Sequence, residues 1–393
     1  MRPPRHCKIN NVIQQTTIPL TNISWEPDVT EKLHHWIKET AAGNLEDLTP
    51  QLETYFESYL GRPCIAVNSG TAALHLAIRL LGLKPGTEII IPTLTYAACA
   101  NVALYENIIP VFVDVDRDTW CLDPEKLSDA IQSRLKTGAK VGAVMPVHLY
   151  GQACPMAAIR DICMKHNIPI IEDVAQAFGG KENEKPLGHF GDYACYSFNA
   201  NKTISGMGGG LLSLKSQEDK DKLRNIIRHG RLPFQNGIRE YVHQDLGFNY
   251  QINACAAALM VFQLPHLYSR LNKKRKIFKI YNETFSDSKF LKPQSNVKSG
   301  NHTRWLSCFE LMGNQVSKGT RDELCRDLEK QGIETRPVFK PLHHQAAYGM
   351  GIAHSSEKAD TIAKAGICLP SSCDLQKDEQ EKVISAIETW FKK

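Results

Sequence analysis

From about residue 62 the chain alternates short β-branched apolar runs with longer stretches whose apolar residues recur at helical spacing. That alternation predicts an α/β fold with a mostly parallel central sheet flanked by helices. The predicted strands are CIAVNS (64–69), TEIIIP (87–92), IIPVFVDV (108–115), KVGAVMPVH (140–148), IPIIED (168–173), YACYSF (193–198) and GGLLSL (209–214). Helical patterns between them include TAALHLAIRLLG (71–82) and MAAIRDICMKHN (156–167). After LGFNYQINACAAALMVFQLPHL (246–267) the character changes: a long helix is predicted through 268–285, then shorter strands and helices ending in KDEQEKVISAIETWFKK. We therefore expect an N-terminal arm over 1–45 with a helix around TEKLHHWIKET, a large domain over 46–265 and a small C-terminal α+β domain over 266–393.

Composition adds constraints. At 393 residues the chain is too long for one small core, and its 42% apolar content is ordinary for a soluble globular protein. The net charge of +5 comes from 47 basic and 42 acidic residues without a strong cluster. The densest basic run, NKKRKIFK (272–279), alternates with apolar residues and reads as the solvated face of a helix, so no nucleic-acid partner is expected. The 12 cysteines are scattered singly with no C-x-x-C pair; Cys99, Cys163, Cys195 and Cys255 lie in apolar segments and read as small buried hydrophobes of a reducing compartment. MRPPRHCKINN lacks the apolar core of a signal peptide, and no stretch is long and apolar enough for a bilayer, so a cytoplasmic protein is expected.

Four stretches carry chemistry, and they converge if the sheet assembles as read, because open α/β sheets bind ligands at the carboxyl ends of their strands. In NSGTAALHLAI a strand ends at Asn68–Ser69 and Gly70–Thr71 open a helix. Its free N–H groups, its dipole and the Thr71 hydroxyl suit a phosphate, while a simple capping turn by Ser69 or Thr71 is the alternative. In PTLTYAACAN, Tyr96 lies just beyond a strand end, either stacked on a flat ring or buried as a core tyrosine. In IIEDVAQAFGG the strand sends Glu172 and Asp173 to opposite faces, so only one enters a pocket. A carboxylate buried there needs a positive partner such as a protonated ring nitrogen, unless it is an acidic helix cap, and Gln176 can add a hydrogen bond on the same side. In YSFNANKTISGMGGG, Lys202 lies between two buried strands ahead of Gly206 and Gly208–Gly210. It is either incidental on a hairpin tip or an amine able to form a Schiff base with an aldehyde cofactor. A phosphate cradle, a stacking ring, an acid and a lysine form the inventory for pyridoxal 5′-phosphate.

Through SGTAALHLA, PTLTYAACANV, PVFVDVD, PVHLYGQ, IEDVAQAFGG, GHFGDYACYSFNANK, GMGGG, LGFNYQIN and RPVFKPLHH, from about residue 46 to the C-terminus, the chain resembles the DegT/DnrJ/EryC1/StrS sugar aminotransferases. These are pyridoxal-phosphate enzymes of fold type I. The SFNANK plus Gly-run form is most similar to members that aminate nucleotide-linked 4-keto-6-deoxyhexoses. The resemblance implies that Lys202 holds the cofactor and moves protons, Asp173 pairs with the pyridinium nitrogen, Gln176 contacts the ring 3-oxygen and Tyr96 stacks on the ring. It further implies phosphate binding by Gly70, Thr71, Ala72 and Ser197, with Asn249 reaching the phosphate from the neighbouring subunit of a homodimer.

The implied reaction is a two-half transamination: an amino acid, glutamate by expectation, gives up its amino group, and a nucleotide-linked keto sugar takes it to become a 4-amino sugar for surface glycans. One position departs from the family: Gln251 follows the GFNY tyrosine where Arg is frequent, which removes a fixed positive charge from the substrate side. His148, Arg336, His343 and His344 are further candidates for substrate contact. His148 also reads as a satisfied core histidine, and no cysteine or carboxylate motif flanks His343–His344, so no metal site is expected. Two rival functions remain: a sugar dehydratase of the same fold, whose members resembling this chain carry histidine in place of the lysine, and a non-catalytic sugar-nucleotide-binding regulator.

Overall fold

The structure is a computed structural model, and it describes residues 18–233, 240–286, 290–297, 299–313, 316 and 318–392. The MRPPRHCKINN segment and the rest of the arm up to residue 17 lie outside the described residues.

Seven strands form where the β-branched runs are: β1 (Cys64–Val67), β2 (Glu88–Pro92), β3 (Ile109–Val113), β4 (Val141–Val144), β5 (Ile171–Asp173), β6 (Tyr193–Ser197) and β7 (Gly210–Ser213). Later strands include β8 (Leu291–Pro293), β9 (Ser307–Leu311), β10 (Arg336–Pro337), β11 (Ile352–Ala353) and β12 (Gly366–Leu369). Parallel pairing gives β11-β3-β2-β4, and β5-β6-β7-β1 completes the sheet through the parallel bridges Val144↔Ile170 and Val147↔Asp173. Only β7 runs against its neighbours, pairing antiparallel with both β1 and β6. The predicted 140–148 strand stops at Val144 because Pro146 has no N–H for the ladder, and single bridges take over beyond it.

Alternation along β2 and β3 explains the layers. Ile89, Ile91 and Phe112 enter one core, shared with the helix α1 (Gly70–Leu81), while Ile90, Val111 and Val113 enter the opposite core with the helix α2 (Met156–Lys165). A third core holds Phe198, Leu211, Met260 and Leu267, beneath the long helix α3 (Leu267–Phe285). The late strands make their own antiparallel sheet in the order β8-β9-β12-β10. The boundary expected at 265/266 is crossed by β11, which pairs with β3 at the edge of the large sheet.

Two expectations about surface placement need correction. Within NKKRKIFK, Lys274 is buried and donates from Nζ to the carbonyls of Ser371 (2.7 Å) and Trp305 (3.2 Å), because the helix packs that face against the later sheet. Cys255 is exposed, since it stands on the first turn of the helix Ala254–Gln263 before that helix enters the core; Cys99, Cys163 and Cys195 are buried free thiols as expected. Among the described residues no helix is long and apolar enough to cross a membrane.

Candidate active site

Lys202 lies in the connection between β6 and β7, whose register sets Ser197 opposite Gly210. The backbone on either side of it is pinned. Trp305 donates from its indole N–H to the carbonyl of Asn201 (2.8 Å), and Arg270 of α3 donates to the carbonyl of Thr203 (3.0 Å). The lysine side chain itself makes no hydrogen bond among the described residues and rests on the face of the Trp305 ring, 4.0 Å from Nζ to its centroid. Burial lowers its pKa from 10.5 to about 8, with the Asp173 carboxylate acting in the opposite sense. An amine buried without a hydrogen bond and poised near neutrality is suited to nucleophilic attack on a carbonyl.

The choice between Glu172 and Asp173 is decided by their partners. Glu172 is fully buried and accepts hydrogen bonds from the backbone N–H groups of Gly188 (2.8 Å) and Phe190 (2.6 Å), and from Gly191. It has no capacity left for a ligand. Asp173, on the other face, accepts from Ala175 N–H (2.9 Å) and from the Cys99 thiol (3.2 Å), and opens onto the cavity that Lys202 lines.

At the start of α1, Ser69 caps the helix by accepting the Ala72 N–H (3.1 Å). The capping turn is built, and it leaves donors over: Ala72's N–H is taken by Ser69, while the Thr71 N–H and hydroxyl have no hydrogen-bond partner among the described residues. Close approach is built into this corner. A Cβ at Gly70 would stand 2.7 Å from the Ser197 Cβ, and one at Gly210 would stand 2.3 Å from the Ser69 carbonyl oxygen. The glycine run thus packs the loop of Lys202 against the end of β1, with Gly209 N–H bonded to Asn68 O (2.9 Å).

Gly70, Thr71, Tyr96, Asp173, Gln176, Ser197, Lys202 and Arg336 all line one cavity of about 480 Å³. Tyr96 is exposed at its wall, so the core-tyrosine alternative falls. Gln176 accepts the Tyr150 N–H at Oε1 (2.7 Å); because that donor can only donate, the amide NH2 of Gln176 is left to donate into the cavity. Arg336 stands at the mouth, forked onto Glu334 Oε1 at 2.6 and 3.0 Å.

Five sequence candidates are elsewhere. Ala72, its N–H held by Ser69, does not line the cavity. His148 is fully buried, with Nε2 3.2 Å from Glu172 and Nδ1 accepting the Cys154 N–H (3.0 Å), and it does not line the cavity. Asn249 is outside the cavity of its own chain, its carbonyl accepting from Asn68 Nδ2 (2.8 Å). His343 and His344 are outside it too, gathered around Asp360.

Sequence reasoning did not single out the aromatic wall. Tyr150 sits between Trp305 (ring centroids 6.3 Å apart, 13° between planes) and Phe339 (5.1 Å, 25°), and its hydroxyl accepts the Phe339 N–H (2.8 Å). Tyr150 adopts φ +57°, a left-handed conformation costly for a bulky residue. The one sequence signal was Gly151, whose freedom accompanies the turn; Trp305 and Phe339 come from segments more than 100 residues away.

The donor set fits pyridoxal phosphate: hydroxyls and a helix N-terminus for the phosphate, a carboxylate for a ring nitrogen, an amide for a ring oxygen, and a buried amine for the aldehyde. With a mostly parallel sheet carrying one reversed strand, this defines a fold-type I pyridoxal-phosphate enzyme. The chain belongs to the DegT/DnrJ/EryC1/StrS aminotransferase family, whose model matches residues 28–388, and pyridoxal 5′-phosphate is the cofactor of that family. It is 35% identical to GDP-perosamine synthase of Caulobacter vibrioides over 86% of this chain and 88% of that protein. It is 30% identical to UDP-N-acetyl-3-dehydro-α-D-glucosamine 3-aminotransferase of Acidithiobacillus ferrooxidans, over 81% of this chain and 82% of that protein. Among solved structures, a family aminotransferase from Brucella abortus matches with a TM-score of 0.83 and 29% identity, covering 93% of this chain and 96% of that one.

Proposed function

We propose that this protein transfers an amino group from an amino acid, glutamate by preference, to the 4-keto carbon of a nucleotide-linked 6-deoxyhexose. The product would be a 4-amino sugar for surface glycans. The observation that carries the reading is the meeting of Lys202, Asp173, Gln176 and the Thr71 turn around one cavity whose outer wall bears Arg336 and Tyr96.

When bound, pyridoxal phosphate supplies an aldehyde that accepts an amine and a ring that holds electrons released at the adjacent carbon. In this reading Thr71 and Ser197 bind its phosphate, Asp173 keeps the ring nitrogen protonated, and Gln176 donates to the ring oxygen. Lys202 would hold the aldehyde and, as a free amine, would be the base that takes the proton from the donor's α-carbon and later returns one to the sugar carbon. The Trp305 face keeps the amine in the cavity while it is free. Arg336, already charged and at the mouth, is the cation available to a substrate phosphate or carboxylate, a role that matters more because Gln251 is uncharged and exposed.

We further propose that the working unit is a homodimer in which Asn249 of each chain completes the phosphate site of the other. The support is that Asn249 lies outside its own chain's cavity and that Tyr241, Val242 and Leu246, just before it, are exposed apolar side chains.

The 4-keto position is the preferred reading because GDP-perosamine synthases of three organisms match at 33–35% identity. A panel of UDP-, GDP- and dTDP-linked 4-keto-6-deoxyhexoses with glutamate, read by mass spectrometry, tests it. One sugar nucleotide should gain an amino group in step with 2-ketoglutarate release; no aminated product from any of them would sink this substrate class.

A further inference from the structure

His343 and His344 were set aside in the sequence because no carboxylate stands near them in the chain. The fold supplies one from the helix Glu357–Ala365, where Asp360 Oδ1 lies 2.8 Å from His344 Nε2 and 3.4 Å from His343 Nε2. The two imidazole rings are 3.9 Å apart, and one ligand atom from each of the three residues falls within 4.8 Å of the others. We propose that His343, His344 and Asp360 form a divalent-metal site that takes Zn²⁺, separate from the cofactor cavity and independent of the substrate reading above.

The decisive observation is the state of His343. Its side chain is only 10% exposed, and Nε2 is buried without a hydrogen-bond partner, facing Asp360. Its Nδ1 lies 2.6 Å from the Thr93 hydroxyl. If Thr93 donates, a buried N–H at Nε2 points toward a carboxylate without bonding it. If Nδ1–H donates to Thr93, a bare lone pair at Nε2 faces a carboxylate oxygen 3.4 Å away. The first tautomer has only this long 3.4 Å contact to the carboxylate, and the second leaves Nε2 with no donor from the protein. A cation between Nε2 and Asp360 satisfies the second, and it does so with the arrangement that metal-bound histidines commonly show, the other ring nitrogen donating to a fixed oxygen. Burial, followed by the neighbouring His344, lowers the pKa of His343, which keeps the ring in the neutral form a metal requires.

The remaining groups fit the same picture. The second oxygen of Asp360 accepts from Ser356 Oγ (3.1 Å), which orients the carboxylate. A tetrahedral Zn²⁺ with bonds of about 2.0–2.2 Å holds its ligand atoms about 3.3–3.6 Å apart. The His343 contact is at that spacing, and the His344 contact reaches it by opening less than about 1 Å, a motion available to a half-exposed side chain. Two imidazoles and one carboxylate leave the fourth position for water from the open side, and nitrogen with hard oxygen suits Zn²⁺ better than Mg²⁺ or Ca²⁺. The site would tie the segment carrying Arg336 and Phe339 both to that helix and, through Thr93, to the end of β2.

The test is calorimetric titration of ZnCl2 into the full-length holoenzyme after dialysis against chelator, for wild type, Asp360→Asn and His344→Ala. Expected is one Zn²⁺ per chain on wild type, with affinity at least tenfold weaker in both variants, and with Co²⁺ in place of Zn²⁺ giving visible absorption that both variants lose. His344→Ala, at a half-exposed position, keeps the test decisive should Asp360→Asn fail to fold. Absence of stoichiometric Zn²⁺ on wild type, or equal affinity in the variants, overturns the proposal.

Discussion

In the proposed mechanism Lys202 works as a nucleophile only when its amine is neutral, and its surroundings set the pH at which that happens. Burial with no compensating hydrogen bond brings its pKa to about 8 in the cofactor-free protein. The neutral fraction then rises about fivefold between pH 7 and pH 8 and less than twofold from pH 8 to pH 9. The rate at which apo-protein captures pyridoxal phosphate should follow that curve in stopped-flow absorbance; a pH-independent rate across this range would contradict it. The sign for stability follows from the same shift. The unfolded chain holds this proton more tightly than the folded one, so between about 8 and 10.5 the lysine makes the apo-protein more stable as pH rises. At this scale the sequence singled out the lysine but not its partners. Adjacent carboxylates on a strand must diverge, yet which of Glu172 and Asp173 enters the cavity depends on the 188–191 loop that claims Glu172, a contact no local pattern reveals.

The turn from β1 into α1 is the element on which the proposed phosphate binding rests, and it tolerates little added bulk. A methyl group at Gly70 would meet Ser197, and both residues line the cavity proposed for the cofactor. Gly70→Ala should therefore destabilise the fold by about 1–3 kcal/mol in urea denaturation and weaken pyridoxal phosphate binding. Unchanged stability and cofactor affinity would show that the corner is looser than its spacing implies. Elements of this kind were legible because their signals are local: β-branched runs gave every strand of the large sheet through β7, and SGT before an apolar helix gave the capped helix start. The short late strands were harder. β10 and β11 have two residues each, too few to show a period, and β11 pairs with β3, a strand that precedes it in the chain by more than 200 residues. The Tyr150–Trp305–Phe339 wall and the His343–His344–Asp360 cluster escaped for the same reason, since each needs tertiary contact to exist.

For the whole molecule, the shared-site reading makes a prediction that a monomeric enzyme cannot meet. Lys202→Ala removes the lysine from its own cavity, whereas Asn249→Ala removes a phosphate ligand from the partner's. Mixing the two variants under conditions that exchange subunits should create sites with an intact Lys202 and an intact Asn249, and so restore tight cofactor binding and activity that neither parent has. No gain on mixing would refute the crossing of Asn249. The account as a whole turns on one covalent link, and the most direct measurement is borohydride reduction of the purified holoenzyme followed by peptide mass spectrometry. The protein should be yellow, lose its visible band on reduction and carry the pyridoxyl mass on the peptide containing Lys202. A label on another lysine, or a colourless protein that cannot be reconstituted with pyridoxal phosphate, would contradict it.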